Sequence, residues 1–114
     1  MTILTGIRPV GDQRLRTRDE NGNLITIDLR FLPAAQQWVA DITSGTFTVT
    51  GTRLANSPNL LYQYQRIISF GMAIIVADDG EPFLINDFSS GRAEIGILTQ
   101  AEVAQINAAY ARLR

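Results

Sequence analysis

The sequence predicts a mainly β fold: a small antiparallel β-barrel or a curled sheet of six to seven strands, with one C-terminal α-helix. Segments in which apolar and polar residues alternate recur along the chain, separated by turn residues. The last segment has helical spacing behind a capping signal. The 114 residues, 46% of them hydrophobic, suffice for one core, so we expect a single domain over residues 1–114.

The first eleven residues are predicted to form an extended arm. Arg8-Pro9 and Gly11 disfavour a regular element there, because proline restricts its neighbour and glycine weakens a strand.

Two alternating segments, residues 12–18 and 24–31, flank a turn and predict a β-hairpin. The first segment carries three arginines on one face: Arg14, Arg16 and Arg18. The second carries four apolar residues on one face: Ile25, Ile27, Leu29 and Phe31.

The register of this hairpin depends on the loop. A two-residue loop at residues 21–22 would place the three arginines on the apolar face. A three-residue loop at residues 20–22, with Gly22 left-handed, pairs Leu15 with Ile27 and Arg14 with Asp28. We predict the second register, because a slip of one residue exchanges the two faces of a strand.

The next two strands are predicted at residues 37–43 and 46–54, with a turn at Ser44-Gly45. The apolar face of the first consists of Trp38, Ala40 and Ile42. The second is predicted to place four threonines on one solvent- or interface-facing side: Thr46, Thr48, Thr50 and Thr52.

The second half of the chain begins with a predicted loop at residues 55–66 that exposes its tyrosines. Residues 67–77 are nearly all apolar and predict a central strand buried on both faces. A short strand is expected around residues 83–85, and the last strand at residues 92–98.

A C-terminal helix is predicted over residues 99–113. Thr99 is the expected N-cap and Glu102 completes a capping box. An apolar stripe predicts that the helix docks on the sheet. The stripe consists of Val103, Ile106, Tyr110 and Leu113.

The composition removes most catalytic chemistry. The chain has no Cys, His or Lys, and all ten basic residues are arginine. These absences exclude disulfides, zinc–thiolate sites, Schiff-base lysines and the commonest general base. A carboxylate pair of the glycosidase type remains conceivable, but we expect no enzyme and no cofactor.

Charge and hydropathy constrain the partners. A net charge of −1 argues against a general affinity for nucleic acid. No segment is apolar enough to predict a membrane span or a signal peptide. An all-arginine basic set suits protein interfaces, although codon usage explains it equally well.

Two clusters are candidate interfaces. The row Arg14, Arg16 and Arg18 suits an acidic protein surface better than the phosphates of DNA, or it is a solvated face partly neutralised by Asp28. The second cluster has the composition of interface hot spots or of ordinary loop packing. It consists of Tyr62, Tyr64 and Arg66.

Two polar segments admit a chemical and a structural interpretation. Asp78, Asp79 and Glu81 surround a glycine, but they lack the ligand pattern of a calcium loop, so a turn is favoured. Residues 87–92 contain serines without a base to activate them. Here Asp87 and the serines are expected to satisfy backbone N–H groups. Arg92 is expected to pair with Asp87 or with a neighbouring chain.

A series of short segments, in this order, resembles the cyanophage-type baseplate plug family of phage tail proteins. The segments are Trp38…Asp41-Ile42, Gly51…Leu54, Pro58-Asn59-Leu60-Leu61, Phe70-Gly71, Asp79-Gly80…Pro82-Phe83, Asp87-Phe88-Ser89-Ser90-Gly91-Arg92 and Leu98-Thr99. The resemblance runs from about residue 24 to 103. Its most specific parts are residues 59–61 and 87–92.

This resemblance implies a structural protein of a contractile phage tail. Such a protein lies on the tail axis in the baseplate hub, where it helps to close the distal end of the tube. Baseplate, hub, spike or tube proteins would be its partners, in a symmetric homo-oligomer such as a trimer or hexamer. It would be located in the virion after assembly in the host cytoplasm, without cofactor or catalytic residues.

A different class of function is a small-barrel binding module for carbohydrate or single-stranded nucleic acid. Oligonucleotide binding needs aromatic side chains interleaved with a basic groove. Here aromatic residues are 8% of the chain, and the arginine row lies on a separate segment.

Overall fold

The computed structural model describes residues 1–112. Seven antiparallel strands form two sheets, and an α-helix follows them, which confirms the predicted mainly β fold. The elements are β1 (Thr2–Ile3), β2 (Asp12–Arg18), β3 (Leu24–Leu32), β4 (Gln37–Ser44), β5 (Phe47–Arg53), a short 3-10 helix (Tyr62–Tyr64), β6 (Gly71–Val76), β7 (Ala93–Leu98) and α1 (Gln100–Arg112).

One sheet has the order β2-β3-β4-β5 and the other the order β1-β7-β6. They do not close into a barrel within residues 1–112, so the curled-sheet alternative holds. Both contribute to one hydrophobic core. Trp38 is fully buried there, and its ring lies 5.3 Å from that of Phe31 and 5.5 Å from that of Phe88.

The first hairpin has the predicted register. Leu15 pairs with Ile27 and Arg14 pairs with Asp28. Gly22 has a φ of 84°, as the three-residue loop requires. The apolar side of β3 is therefore buried, and the arginines of β2 lie on the outer face of the sheet.

The predicted threonine row is wrong at its end, because a β-bulge interrupts β5. The register shifts opposite residues 40–42, and Gly51 has a φ of 65°. Thr52 now pairs with the buried Ala40 and faces inward, whereas Thr48 pairs with Thr43 and faces outward. The carboxylate of Asp41 stabilises the bulge by accepting a 2.8 Å hydrogen bond from the N–H of Gly51.

Two predictions for the second half are wrong. The apolar run at 67–77 is a strand only from Gly71; this strand, β6, is buried on both faces except at Ile75, as predicted, but it is an edge strand beside the central β7. Residues 83–85 do not form a strand: the chain is irregular at Phe83, bends at Leu84 and enters a turn at Ile85. The reason is local, since the N–H groups of Phe83 and Leu84 both donate to the carboxylate of Asp87.

The N-terminal segment is extended, but it contains a regular element that was not predicted. Thr2 and Ile3 pair with β7, and the N–H of Leu4 donates to the carbonyl of Ile95. Ile7 is buried in the core. The local sequence does not reveal this strand, because its hydrogen-bond partners lie on β7, far away along the chain.

Helix α1 begins with the predicted capping box. The N–H of Thr99 donates to Oε1 of Glu102 at 3.0 Å, and the N–H of Glu102 donates to Oγ1 of Thr99 at 3.2 Å. The prediction that this helix docks on a sheet is wrong for the described residues, since no residue of α1 is buried. Instead, Tyr110 packs edge-on against Tyr62, 5.0 Å away. Leu113 of the predicted stripe lies outside the described residues.

Candidate interaction surface

The three arginines of β2 lie in an exposed row on the outer face of the four-stranded sheet. Arg14 binds Asp28 through two hydrogen bonds, Nε to Oδ1 at 2.6 Å and Nη2 to Oδ2 at 3.2 Å. Arg18 donates to the carbonyl of Gly22 at 2.8 Å. Arg16 makes no hydrogen bond within residues 1–112, so its guanidinium faces solvent and is available to a partner.

The whole outer face of this sheet carries a positive excess. Its arginines are Arg14, Arg16, Arg18, Arg30 and Arg53, and its aspartates are Asp12, Asp28 and Asp41. Arg30 pairs with Asp41 at 2.9 Å. The hydrogen bond from Arg14 holds the pKa of Asp28 below its usual value, against a smaller opposing effect of burial. An acidic surface would complement this face.

The tyrosines predicted to be exposed are half-buried and packed. Tyr64 lies edge-on to Phe47 at 5.3 Å, and Tyr62 packs against Tyr110. These rings join the 3-10 segment to β5 and to α1. Only Arg66 of this predicted cluster is exposed.

Arg92 is engaged within the chain, not at a surface. It binds Asp78 through Nη2 at 3.0 Å and Asp87 through Nη1 at 2.9 Å. Nη1 also donates to the carbonyl of Glu81, and the guanidinium lies 4.9 Å from the ring centre of Phe83. The predicted pairing of Arg92 with Asp87 of the same chain is therefore present in the structure.

The acidic cluster is a turn, as the structural interpretation predicted. Asp78 accepts a 3.0 Å hydrogen bond from the N–H of Gly80, and Glu81 accepts one of 2.6 Å from the N–H of Asn56. The Gly80 N–H and then Arg92 hold the pKa of Asp78 below its usual value. No group of acidic residues suited to a metal ion occurs within residues 1–112.

Beside this turn, three consecutive large apolar side chains are exposed, which sequence reasoning missed. Phe83, Leu84 and Ile85 have exposed fractions of 42%, 43% and 39%; we call them the apolar knob. The indole Nε1 of Trp38 donates to the carbonyl of Leu84 at 3.0 Å and fixes the knob to the core. The sequence signal for this turn is Asp87, which follows Leu84 by three residues and Phe83 by four. At this spacing its carboxylate can accept hydrogen bonds from their backbone N–H groups.

A groove of about 710 Å³ opens at the other end of the four-stranded sheet, between the hairpin tips and the segment before β6. Its lining is mixed: seven residues are polar or glycine, and five are apolar, namely Leu24, Phe47, Ile67, Ile68 and Phe70; we call it the apolar groove after these five. Leu24 is 45% exposed and Ile67 is 72% exposed. The groove was also missed, because Ile67 was assigned to a buried strand.

The sequence-predicted residues thus lie at three separate places. The arginine row is on β2, one edge of the sheet, whereas Tyr64 packs at the opposite edge, on β5. Arg92 stabilises the loop that carries the knob.

Neither the models of known protein families nor the curated proteins provide a match to this sequence. Within residues 1–112, no helix combines the length and the apolar character needed to cross a bilayer.

Proposed function

We propose that this protein is a structural component of a contractile phage tail baseplate. It plugs or lines the central hub at the distal end of the tube through protein–protein contacts. The observation that carries the proposal is the ordered series of segments that resembles the baseplate plug family. Its two most specific segments are rigid parts of this fold, centred on Asn59 and on the Asp87–Arg92 pair.

Asn59 supports the proposal as a fold-defining residue. Its side chain is almost completely buried, and its Oδ1 accepts hydrogen bonds from the N–H groups of Leu61 at 3.1 Å and Met72 at 3.2 Å. A Cβ at Gly71 would lie 2.8 Å from this oxygen, so glycine is required there. Proteins that share one fold are expected to share packing residues of this kind.

The polar side chains of the most specific segment serve the backbone. Ser89 Oγ donates to the carbonyl of Asn86, and Ser90 Oγ donates to that of Asp87, both at 3.2 Å. The carboxylate of Asp87 is occupied by two N–H groups and by Arg92. Together with the lack of His, Cys and Lys, this supports a binding role without catalysis.

The outer face of the four-stranded sheet is the surface we assign to a tail partner. It is exposed, carries arginines on a paired strand, and bears a positive excess in a chain of net charge −1. An acidic surface on a hub, spike or tube protein fits it. The binding-module alternative has less support, because Trp38 and Phe88 pack in the core, and the exposed Phe83 lies beside Arg92, which is already bound to Asp78 and Asp87.

The proposal is tested on particles of the phage or prophage that encodes the protein. Mass spectrometry of purified tails is expected to detect it in amounts comparable to other baseplate proteins. Reversing the charge of the row, with Arg14→Glu, Arg16→Glu and Arg18→Glu together, is expected to reduce its incorporation by about tenfold or more.

The matched control is Arg112→Glu, an exposed arginine on α1 away from the sheet face, which should incorporate normally. Purified, complete tails that lack the protein would overturn the proposed function. Normal incorporation of the triple variant would overturn the assignment of the arginine face.

A further inference from the structure

We propose that a second copy of this chain binds through the apolar knob, which inserts into the apolar groove of its neighbour. The inference rests on the proposed assembly function, for which it names one partner.

The knob is held in its exposed position before any partner binds. The N–H groups of Phe83 and Leu84 each donate to the buried carboxylate of Asp87 at 2.8 Å. Trp38 binds the carbonyl of Leu84, and Arg92 lies over the ring of Phe83. A loop fixed in this way loses little conformational entropy on binding, which favours a docking role.

The groove is also held open by contacts within the chain. Ser69 donates a 2.7 Å hydrogen bond to Asp19 and thereby ties the segment before β6 to the tip of the first hairpin. Leu24 and Ile67 border the opening with exposed apolar side chains.

The charges beside the two surfaces are complementary. Arg18 pairs with Leu24 and Arg16 pairs with Thr26 in the β2–β3 ladder, so two arginines lie next to the groove. Glu81 and Asp79 are exposed in the turn that precedes the knob. The exposed acidic side chains of the turn therefore complement Arg16 and Arg18, whereas Arg92 beside the knob and Asp19 beside the groove are engaged by partners within their own chain.

The positions of the two surfaces require two copies. The knob binds Trp38 near the start of β4, whereas the groove includes Ser44 at the end of that strand. Six residues of strand separate the two by about 20 Å. A molecule cannot fill its own groove, and a repeated contact between unlike surfaces builds rings or stacks.

The test is the self-association of the isolated full chain, followed by light scattering and sedimentation velocity over a concentration series. The wild-type chain is expected to associate reversibly. The knob variant Leu84→Gln/Ile85→Gln and the groove variant Leu24→Gln/Ile67→Gln should each weaken association by about tenfold or more. The control Ile75→Gln changes an exposed apolar residue of β6 and should leave association unchanged.

Mixing the knob variant with the groove variant provides the decisive comparison, because one intact knob and one intact groove remain. The mixture is expected to form a heterodimer of twice the 12.6 kDa monomer mass at concentrations at which each variant alone stays monomeric. Far-ultraviolet circular dichroism identical to the wild type shows that each variant is folded.

A wild-type chain that stays monomeric up to roughly millimolar concentration would overturn the inference. Association that both double variants retain would also overturn it. Neither result bears on the proposed function, which fails only if complete tails lack the protein.

Discussion

Asp87 and Arg92 use opposite charges to hold the loop of the apolar knob in place. Asp87 is almost completely buried, and its carboxylate accepts hydrogen bonds from two backbone N–H groups and from Arg92. Without this carboxylate the N–H groups of Phe83 and Leu84 would lose their acceptor, whereas Arg92 would keep its ion pair with Asp78.

We therefore expect Asp87→Ala to lower the free energy of unfolding by about 1–3 kcal/mol. Urea denaturation measured by the fluorescence of Trp38 reports this change, since Trp38 binds the same loop. Arg16→Ala, an exposed arginine, is the control and should change the value by less than about 0.5 kcal/mol. A loss below about 1 kcal/mol for Asp87→Ala would contradict the role assigned to this pair.

For individual side chains, hydrogen-bond partners close in sequence were predictable, and more distant partners were not. The role of Asp87 as an acceptor for backbone N–H groups follows from a short polar side chain in a tight connection. The pairing of Arg92 with Asp78 and its position over Phe83 depend on contacts between residues 9 to 14 apart in a loop. No repeating pattern encodes such contacts.

The two sheets are joined at the tip of the first hairpin. The carboxylate of Asp19 accepts hydrogen bonds from the N–H groups of Asn21 and Asn23, from the Asn23 side chain, and from Ser69. Burial acts to raise the pKa of Asp19, but the hydrogen bonds from Ser69, Asn23 and Asn21 together outweigh it and hold this pKa below its usual value.

The pKa of Asp19 is lower in the folded than in the unfolded chain. Its ionised carboxylate therefore stabilises the fold fully above the pKa of the unfolded chain, about 3.9. This stabilisation is lost as the pH falls through the pKa of Asp19 in the folded chain. Asp19→Asn is thus expected to lower the free energy of unfolding by about 1–3 kcal/mol at pH 7. The gap, meaning the difference in the free energy of unfolding between this variant and the wild type, should shrink below about pH 4.

Denaturant titrations from pH 2.5 to pH 7 measure this gap. Asp79→Asn is the control, since its exposed carboxylate makes no hydrogen bond within residues 1–112, and its effect should stay below about 0.5 kcal/mol at pH 7. A gap for Asp19→Asn that does not change with pH would show that the carboxylate charge is not what joins the sheets.

Elements with clear periodicity were predicted from the sequence, and those without it were not. Burial of Ile27 opposite Leu15 selected the hairpin register, and Thr99 with Glu102 located the start of α1. The apolar run from Ile67 has no alternation, so its exposed beginning could not be told from its buried end. The bulge at Gly51 was hidden in an otherwise regular threonine pattern.

On the scale of the whole molecule, two sheets share one core and leave three features on the surface: the arginine face, the apolar knob and the apolar groove. Composition predicted a small β domain suited to binding. The position of the knob and the groove at opposite ends of one sheet depends on how the loops cross between sheets, which no local pattern specifies.

The most direct test of the proposed function is an electron cryomicroscopy map of the purified, uncontracted tail. We expect density for this two-sheet fold on the tail axis at the distal end of the tube. The outer face of the β2-β3-β4-β5 sheet should lie against an acidic surface of a neighbouring protein. A map in which other proteins fill the distal hub completely, with no density of this fold, would contradict the proposal.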